Sequence, residues 1–362
     1  MLALRLGRGS RPLVQLRRLL VAAACAGSGF LLLYVLADAQ ARSGGSFPRL
    51  LWALVPLAAT VQFAVAVART DPATRPREGL DAVGLGPVRL ALAAAVSTAV
   101  ACTLGSALAL AAFLHLRGDL TGLPFDGAGA GLLHAGRPLP VAAALTLLAL
   151  APLTASAATA LSLRPRPPRP GLAPQTGVPW GVALTACGLA LLACARPGGP
   201  GVPAAGVLIT GGLALAGPGL AYACGTLVQA VRPGALRLLA GRTLQEEATR
   251  LGRPLGVLCA VGAAALTAAL AAPGSRGGAL TPLGPLTVPA AGLVALCAAA
   301  SLLTAAVESR QARGATREAL RELGAPGTVL RTAAGLRAAA LLAGCVPLVW
   351  GVAQLTALAL TR

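Results

Sequence analysis

The stretch LALAAAVSTAVACTLGSALALAAFLH, Leu90 to His115, runs for 26 residues without an acid or an Arg. A helix rises about 1.5 Å per residue, and the hydrocarbon core of a bilayer is about 30 Å thick, so roughly 20 apolar residues suffice to cross it. Eight more predominantly apolar stretches surround it, at about 19–37, 50–68, 139–163, 179–195, 204–231, 255–272, 287–307 and 332–360. The fifth in chain order, 179–195, is short. The sixth and ninth are long, with Pro218 and Pro347 as expected kink sites. The first is not a cleavable signal, because its flank is long and no small-residue cleavage site follows it.

Composition agrees with these spans. Charged side chains make up 11% of the 362 residues and apolar ones 56%, with a mean hydropathy of +0.77. Soluble globular proteins carry about 25% charged residues, so this chain has too little polar side chain to cover a water-facing surface. The net charge is +19 and every basic residue is Arg. These Arg form no single basic face interleaved with aromatics, which excludes a nucleic-acid binder. Abundant Ala and Gly beside Arg fit GC-rich bacterial coding. The expected fold is therefore an all-α polytopic membrane protein of a bacterial plasma membrane, surrounded by the lipid bilayer.

Arg placement sets the expected orientation, because short cytoplasmic loops are enriched in Arg. With the N-terminus in the cytoplasm, the inside segments 1–18, 69–89, 164–178, 232–254 and 309–337 hold 23 of the 30 Arg. Nine spans then place the C-terminus outside. The outside loops, about 38–49, 117–137, 196–203 and 273–286, are too short to fold around cores of their own. They are rich in Gly and Pro and are expected to be mobile.

The polar inventory narrows the chemistry. Asp38, Asp119 and Asp126 fall on outside loops; Asp71, Glu78, Asp81, Glu246, Glu247, Glu318 and Glu322 fall on inside loops; Glu308 stands at a membrane edge. None is placed mid-membrane, where ion-coupled transporters and proton pumps usually hold an ionisable residue. His115 and His134 read as interfacial residues rather than proton carriers. The eight cysteines lie in apolar stretches and form no CxxC, so they read as small packing residues. Gln62, Gln229 and Gln354 read as mid-membrane residues that bond to neighbouring helices. No GxxxxGK[ST], HExxH or GxSxG motif occurs, so the chain is not expected to be an enzyme or to hold a cofactor.

An internal repeat carries the functional signal. Arg77-Glu78-Gly79-Leu80-Asp81-Ala82-Val83-Gly84-Leu85 aligns without gaps with Arg317-Glu318-Ala319-Leu320-Arg321-Glu322-Leu323-Gly324-Ala325, 240 residues later. Each copy lies in an inside loop between two spans. The second reads as a short amphipathic helix with Ala315, Ala319, Leu320 and Leu323 on one face, ended by Gly324 and Pro326. In the first, Pro76 suits a helix start, Leu80 and Val83 form the apolar pair, and Gly84, Gly86 and Pro87 end it. One such helix alone reads as lying on the headgroups. Two matched copies at equivalent places suit docking of a soluble partner.

This duplicated R-E-x-L-x-x-[LV]-G pattern between spans resembles the FtsX-like (MacB-type) permeases of ABC transporters. The resemblance implies that each loop docks on a separate cytoplasmic ABC ATPase, with Arg77, Glu78, Leu80, Val83 and Gly84, and Arg317, Glu318, Leu320, Leu323 and Gly324, as contact positions. It also implies about nine transmembrane helices in two pseudo-repeated units joined by a two-helix linker. Residues 1–163 would be the first unit, 164–231 the linker and 232–362 the second unit. Within this scheme Thr243-Leu244-Gln245-Glu246 has capping-box spacing, so a lead-in helix is expected to start there before the seventh span. Two departures stand out: only about twelve residues follow the first span, where the family usually carries a large extracytoplasmic domain, and the second unit lacks a fourth span. The expected function is a permease subunit that couples hydrolysis on a partner chain to export or mechanical signalling, alone or with a second permease. A non-transporting scaffold or sensor partner, and an ion-coupled secondary transporter, are the alternatives.

Overall fold

The computed structural model describes residues 12–41, 46–70, 87–120, 122, 124–164, 177–196, 201–230, 234–270, 284–312, 314 and 327–361. Among them are nine α-helices and one 3-10 turn, and no strand. The helices are α1 (Pro12–Ala41), α2 (Ser46–Thr70), α3 (Pro87–Arg117), α4 (Val141–Leu163), α5 (Gly177–Cys194), α6 (Gly201–Ala230), α7 (Ala235–Leu270), α8 (Thr287–Ala312) and α9 (Gly327–Thr361). All nine are long and apolar enough to cross a membrane. The chain is an all-α polytopic membrane protein.

The helices follow the apolar runs closely, with one exception. The charged segment before the seventh span is not a separate lead-in helix capped by Thr243. It is the first half of α7, which starts at Ala235 and continues through Pro254 without a break. The Thr243 hydroxyl donates to the Ala240 carbonyl at 2.9 Å, a bond typical of a helix interior and not of an N-cap. Pro218 and Pro347 likewise sit inside continuous helices.

Two compact units divide the chain. The first contains α1 to α4 and α8 as far as Cys297; the second contains α5 to α7, α8 from Ala298, and α9.

In the first unit α1 is the centre, and α2, α3 and α4 all pack against it. Leu31, Leu32, Leu33, Tyr34 and Val35 are consecutive and all buried, which on a helix means protein on every side. Phe113 of α3 meets Phe30 of α1 edge-on at 5.5 Å between ring centroids. The helix α3 shows how a bilayer inverts the usual pattern. Its buried face carries Ala91, Ala94, Cys102 and Ala109, whereas Leu92, Val96, Leu104 and Leu108 are exposed. Large apolar side chains gain nothing by leaving lipid, so the small ones take the helix contacts. At Gly105 the α3 backbone comes so close to α1 that an added Cβ would stand 2.8 Å from the Cys25 Cβ. The same approach puts the Cys25 and Cys102 sulfurs 3.1 Å apart as free thiols. Ser106 donates across to the Leu148 carbonyl of α4 at 3.1 Å.

In the second unit α6 lies between α5 and α7, with α9 against α7. A Cβ on Gly217 of α6 would stand 2.8 Å from the Gly256 Cα of α7 and nearer still to the Gly252 carbonyl. On the α5 side, a Cβ on Gly181 would stand 2.7 Å from the Gly212 carbonyl oxygen. Hydroxyls inside the helices bond back to their own backbone, as in Thr267 to the Ala263 carbonyl and Thr356 to that of Val352. That satisfies them where no water is present. Six cysteines are buried; Cys187 and Cys194 are exposed on α5.

Gly252→Ala forces a methyl onto the Pro218 backbone of α6 and is expected to cost about 1–3 kcal/mol. Gly211→Ala, on α6 and facing open space, is expected to be neutral or slightly stabilising. Equilibrium unfolding in mixed micelles checks both.

Candidate functional site

The repeat residues Arg77, Glu78, Leu80, Val83 and Gly84, with Arg317, Glu318, Leu320, Leu323 and Gly324, lie outside the described residues. The structure does give the helices that flank them. The first segment joins the end of α2 at Thr70 to the start of α3 at Pro87, which suits proline as a first helical residue. The second joins the end of α8 at Ala312 to the start of α9 at Gly327.

In the second unit those flanking helices meet a charged layer built on α7. The first half of α7 is amphipathic: Ala240, Gly241, Leu244, Glu247, Ala248 and Gly252 are buried at helical spacing, with Arg242, Glu246, Arg250 and Arg253 among the residues between. Glu246 and Glu247 are thus helical and not on a loop, and Glu247 falls on the inward face with 8% exposure. A carboxylate in that position is costly without a cation. Arg337 of α9 supplies one, its Nη1 standing 3.6 Å from the Glu247 Oε2. One turn along α7, Arg250 reaches Glu308 of α8 at 3.9 Å. The Arg250 side chain is 63% exposed, so this second pair is weak and screened. Of the two helices that bracket the second repeat segment, α9 packs along α7, and α8 reaches it through this exposed pair alone. Gln229 belongs to the same end of the unit, as the penultimate residue of α6, and packs over Gly241. It is not mid-membrane. Gln62 is exposed on α2.

The first unit has a second polar cluster, at the end where α1 finishes and α3 finishes. Asp38 is not on a loop: it sits in the last turn of α1 with 3% exposure. His134 faces it, Nε2 to Oδ1 at 3.4 Å. The connection after α3 is a folded cap and not the mobile loop expected from its Gly content. Gly118, at φ +93°, ends α3, with Gly118 N–H to the His115 carbonyl at 3.1 Å and Asp119 N–H to that of Leu114 at 3.0 Å. This is the paired closure that a left-handed glycine allows. The cap then returns over the helix end through Gly129 N–H to the Leu116 carbonyl at 2.8 Å and plants Leu133 in the core. The His115 ring nitrogens face the Leu120 and Pro124 carbonyls at 3.4 and 3.0 Å, so His115 braces the cap. Arg117 is buried; its guanidinium donates to the Arg137 carbonyl, and that of Arg137 donates to the Gln40 carbonyl of α1. His134 itself sits at φ 53°, a conformation uncommon outside glycine. The sequence signals for this cluster were the two His and the Leu132-Leu133 pair inside a Gly-rich segment. No cluster of three or more metal-binding side chains occurs among the described residues.

Arg337→Ala leaves the Glu247 carboxylate buried without that cation. It is expected to lower stability by about 2 kcal/mol, with Glu247→Gln/Arg337→Gln losing less, measured by unfolding in mixed micelles. Asp38→Ala removes the partner of His134. Hydrogen exchange across 127–135 is expected to speed up about tenfold while the α1 core is unchanged.

Comparison with protein-family models, with curated proteins and with solved structures gives no match for this chain.

Proposed function

We propose that the chain is the membrane subunit of an ABC-type permease of the FtsX-like kind. It contributes no hydrolysis. A separate cytoplasmic ATPase docks on the two loops around 70–88 and 310–328, and nucleotide-driven closure moves the helices that flank them. The observation that supports this reading most is the packing of α9, the helix that follows the second segment, along α7. The segment's flanking helices α8 and α9 carry Glu308 and Arg337, and both side chains end on adjacent turns of α7, at Arg250 and Glu247. In this reading a displacement of the segment passes through α9 and its Arg337–Glu247 pair to α7, and through the Gly217–Gly252 approach to α6. The repeat itself supplies the docking chemistry, two apolar anchors in a charged rim on each copy. The product of the motion is export of an apolar or amphipathic molecule, or a mechanical signal across the membrane.

A second reading, ion-coupled transport, rests on the buried Asp38 facing His134. It requires flux that collapses with the proton gradient and survives ATP depletion. The position of Asp38 in the last turn of α1, away from the middle of the span, weighs against it.

The deciding experiment is a detergent pull-down of the tagged full chain with its candidate ATPase. Wild type is expected to retain the ATPase, and Leu320→Asp/Leu323→Asp to lose it at unchanged expression and melting temperature. Retention by the double variant removes the docking site, and absence of any complex with wild type removes the permease reading.

A further inference from the structure

Four of the eight cysteines stand as two face-to-face pairs, each joining two helices of one unit. In the first unit the Cys25 thiol of α1 donates to the Cys102 sulfur of α3 at 3.1 Å. In the second, Cys259 of α7 and Cys345 of α9 share a hydrogen bond between their thiols. Each pair links the helix that follows a repeat segment, α3 or α9, to a neighbour along which it packs. Helix packing asks only for a small side chain at such a contact, and Ala91 and Ala109 meet that need elsewhere on α3. Two sulfurs in contact add a chemistry that Ala lacks. Cys25 and Cys102 lie near the middle of their helices, beside the close crossing at Gly105. A partly open cleft between α2 and α3 adjoins them, lined by Val21, Thr98 and Ala101, each within one helical turn of Cys25 or Cys102. It has about 30 Å³ of enclosed space. One water needs roughly 10–15 Å³ on that measure, so a molecule the size of hydrogen peroxide fits.

We propose that Cys25 and Cys102 form a modification site, a dithiol that a small uncharged peroxide converts into a disulfide between α1 and α3. One sulfur attacks a peroxide oxygen. The O–O bond breaks, an S–O bond forms, and the thiol proton leaves with the second oxygen as water. The neighbouring sulfur then displaces the sulfenic hydroxyl. The S–O bond breaks, the S–S bond forms, and a second water carries off the remaining thiol proton. Two thiols and one peroxide thus give one disulfide and two waters, with two electrons passing from sulfur to oxygen. Burial decides what else can act on the pair. Reduction requires attack by a thiolate, and a charged thiolate does not enter hydrocarbon, so the bond persists once made. Cys187 and Cys194 provide the contrast. Both are exposed on α5, and seven positions along one helix put them about 10 Å apart, too far to bond to one another. The site is independent of the docking segments and holds whether or not an ATPase binds them.

The test treats the wild-type full chain in lipid vesicles with hydrogen peroxide. Free thiols are then blocked with a maleimide under denaturing conditions, and the chain is cleaved after Arg and weighed by mass spectrometry without reductant. Cleavage at Arg18, Arg42, Arg89 and Arg117 leaves Cys25 and Cys102 as the sole cysteines of peptides 19–42 and 90–117. These peptides are expected joined, about two mass units lighter than their sum, and separated by a phosphine. Cys187 and Cys194 are expected as maleimide adducts or as separate sulfinic acids. Cys25→Ser is expected to abolish the joined species. Recovery of Cys25 and Cys102 as maleimide adducts, at a peroxide dose that oxidises Cys187 and Cys194, overturns the proposal. Recovery of the two as separate sulfinic acids overturns it, as does a Cys25–Cys102 link found only in chain dimers on non-reducing gels. The wild-type outcome decides by itself, so a variant that fails to fold leaves the test intact.

Discussion

Close backbone approach between helices is the constraint on which the structure rests. In water, helices associate because apolar surface leaves the solvent. In a bilayer the solvent is itself apolar, and what is left is contact: dispersion between well-fitted surfaces and a few hydrogen bonds across them. Ala, Gly, Ser and Cys allow that fit, and they occupy the inner faces here, from Ala91 and Cys102 on α3 to Gly217, Gly252 and Gly256 in the second unit. On α3 the Leu and Val, the usual core residues, face outward.

Charge is the complementary constraint. The chain buries two acids among its described residues, Asp38 and Glu247, and both stand toward helix ends with a basic side chain opposite. Neither pair adds much stability, because desolvation offsets the attraction. Their effect is on specificity: each fixes which face of one helix meets another element. For Glu247 that element is α9, and for Asp38 it is the cap after α3. The two clusters give each unit one polar end with defined partners and leave the apolar middle to packing alone.

The nine helices were legible in the sequence because an apolar run near 20 residues long has few alternative fates. What hydropathy does not report is a helix that continues past the membrane. The charges from Arg237 to Arg253 ended the apolar run and suggested a loop and a fresh start at Thr243, whereas backbone propensity carries the helix through them. The burial of Asp38 was illegible for another reason: its partner His134 is 96 residues away and reaches it only after Gly118 has turned the chain back. The cap's glycines read as looseness, and it is the hydrogen bonds they permit that make it firm. The repeat segments were legible as pattern, and the structure describes only the helices on either side of them.

The length of α7 has a consequence for how the second unit can move. Its 36 residues extend about 54 Å, well beyond a hydrocarbon core of about 30 Å. Four Arg, at positions 237, 242, 250 and 253, occupy the excess, and the stretch from Leu255 to Leu270 has no charge at all. Sliding the helix toward the apolar side would draw the Arg253 guanidinium toward hydrocarbon, at a cost that rises to about 3 kcal/mol at the centre of the bilayer. Translation along the membrane normal therefore costs α7 more than tilt or rotation about its own axis. Rotation swings Glu247 sideways, and with it the Arg337 pair that joins α7 to α9.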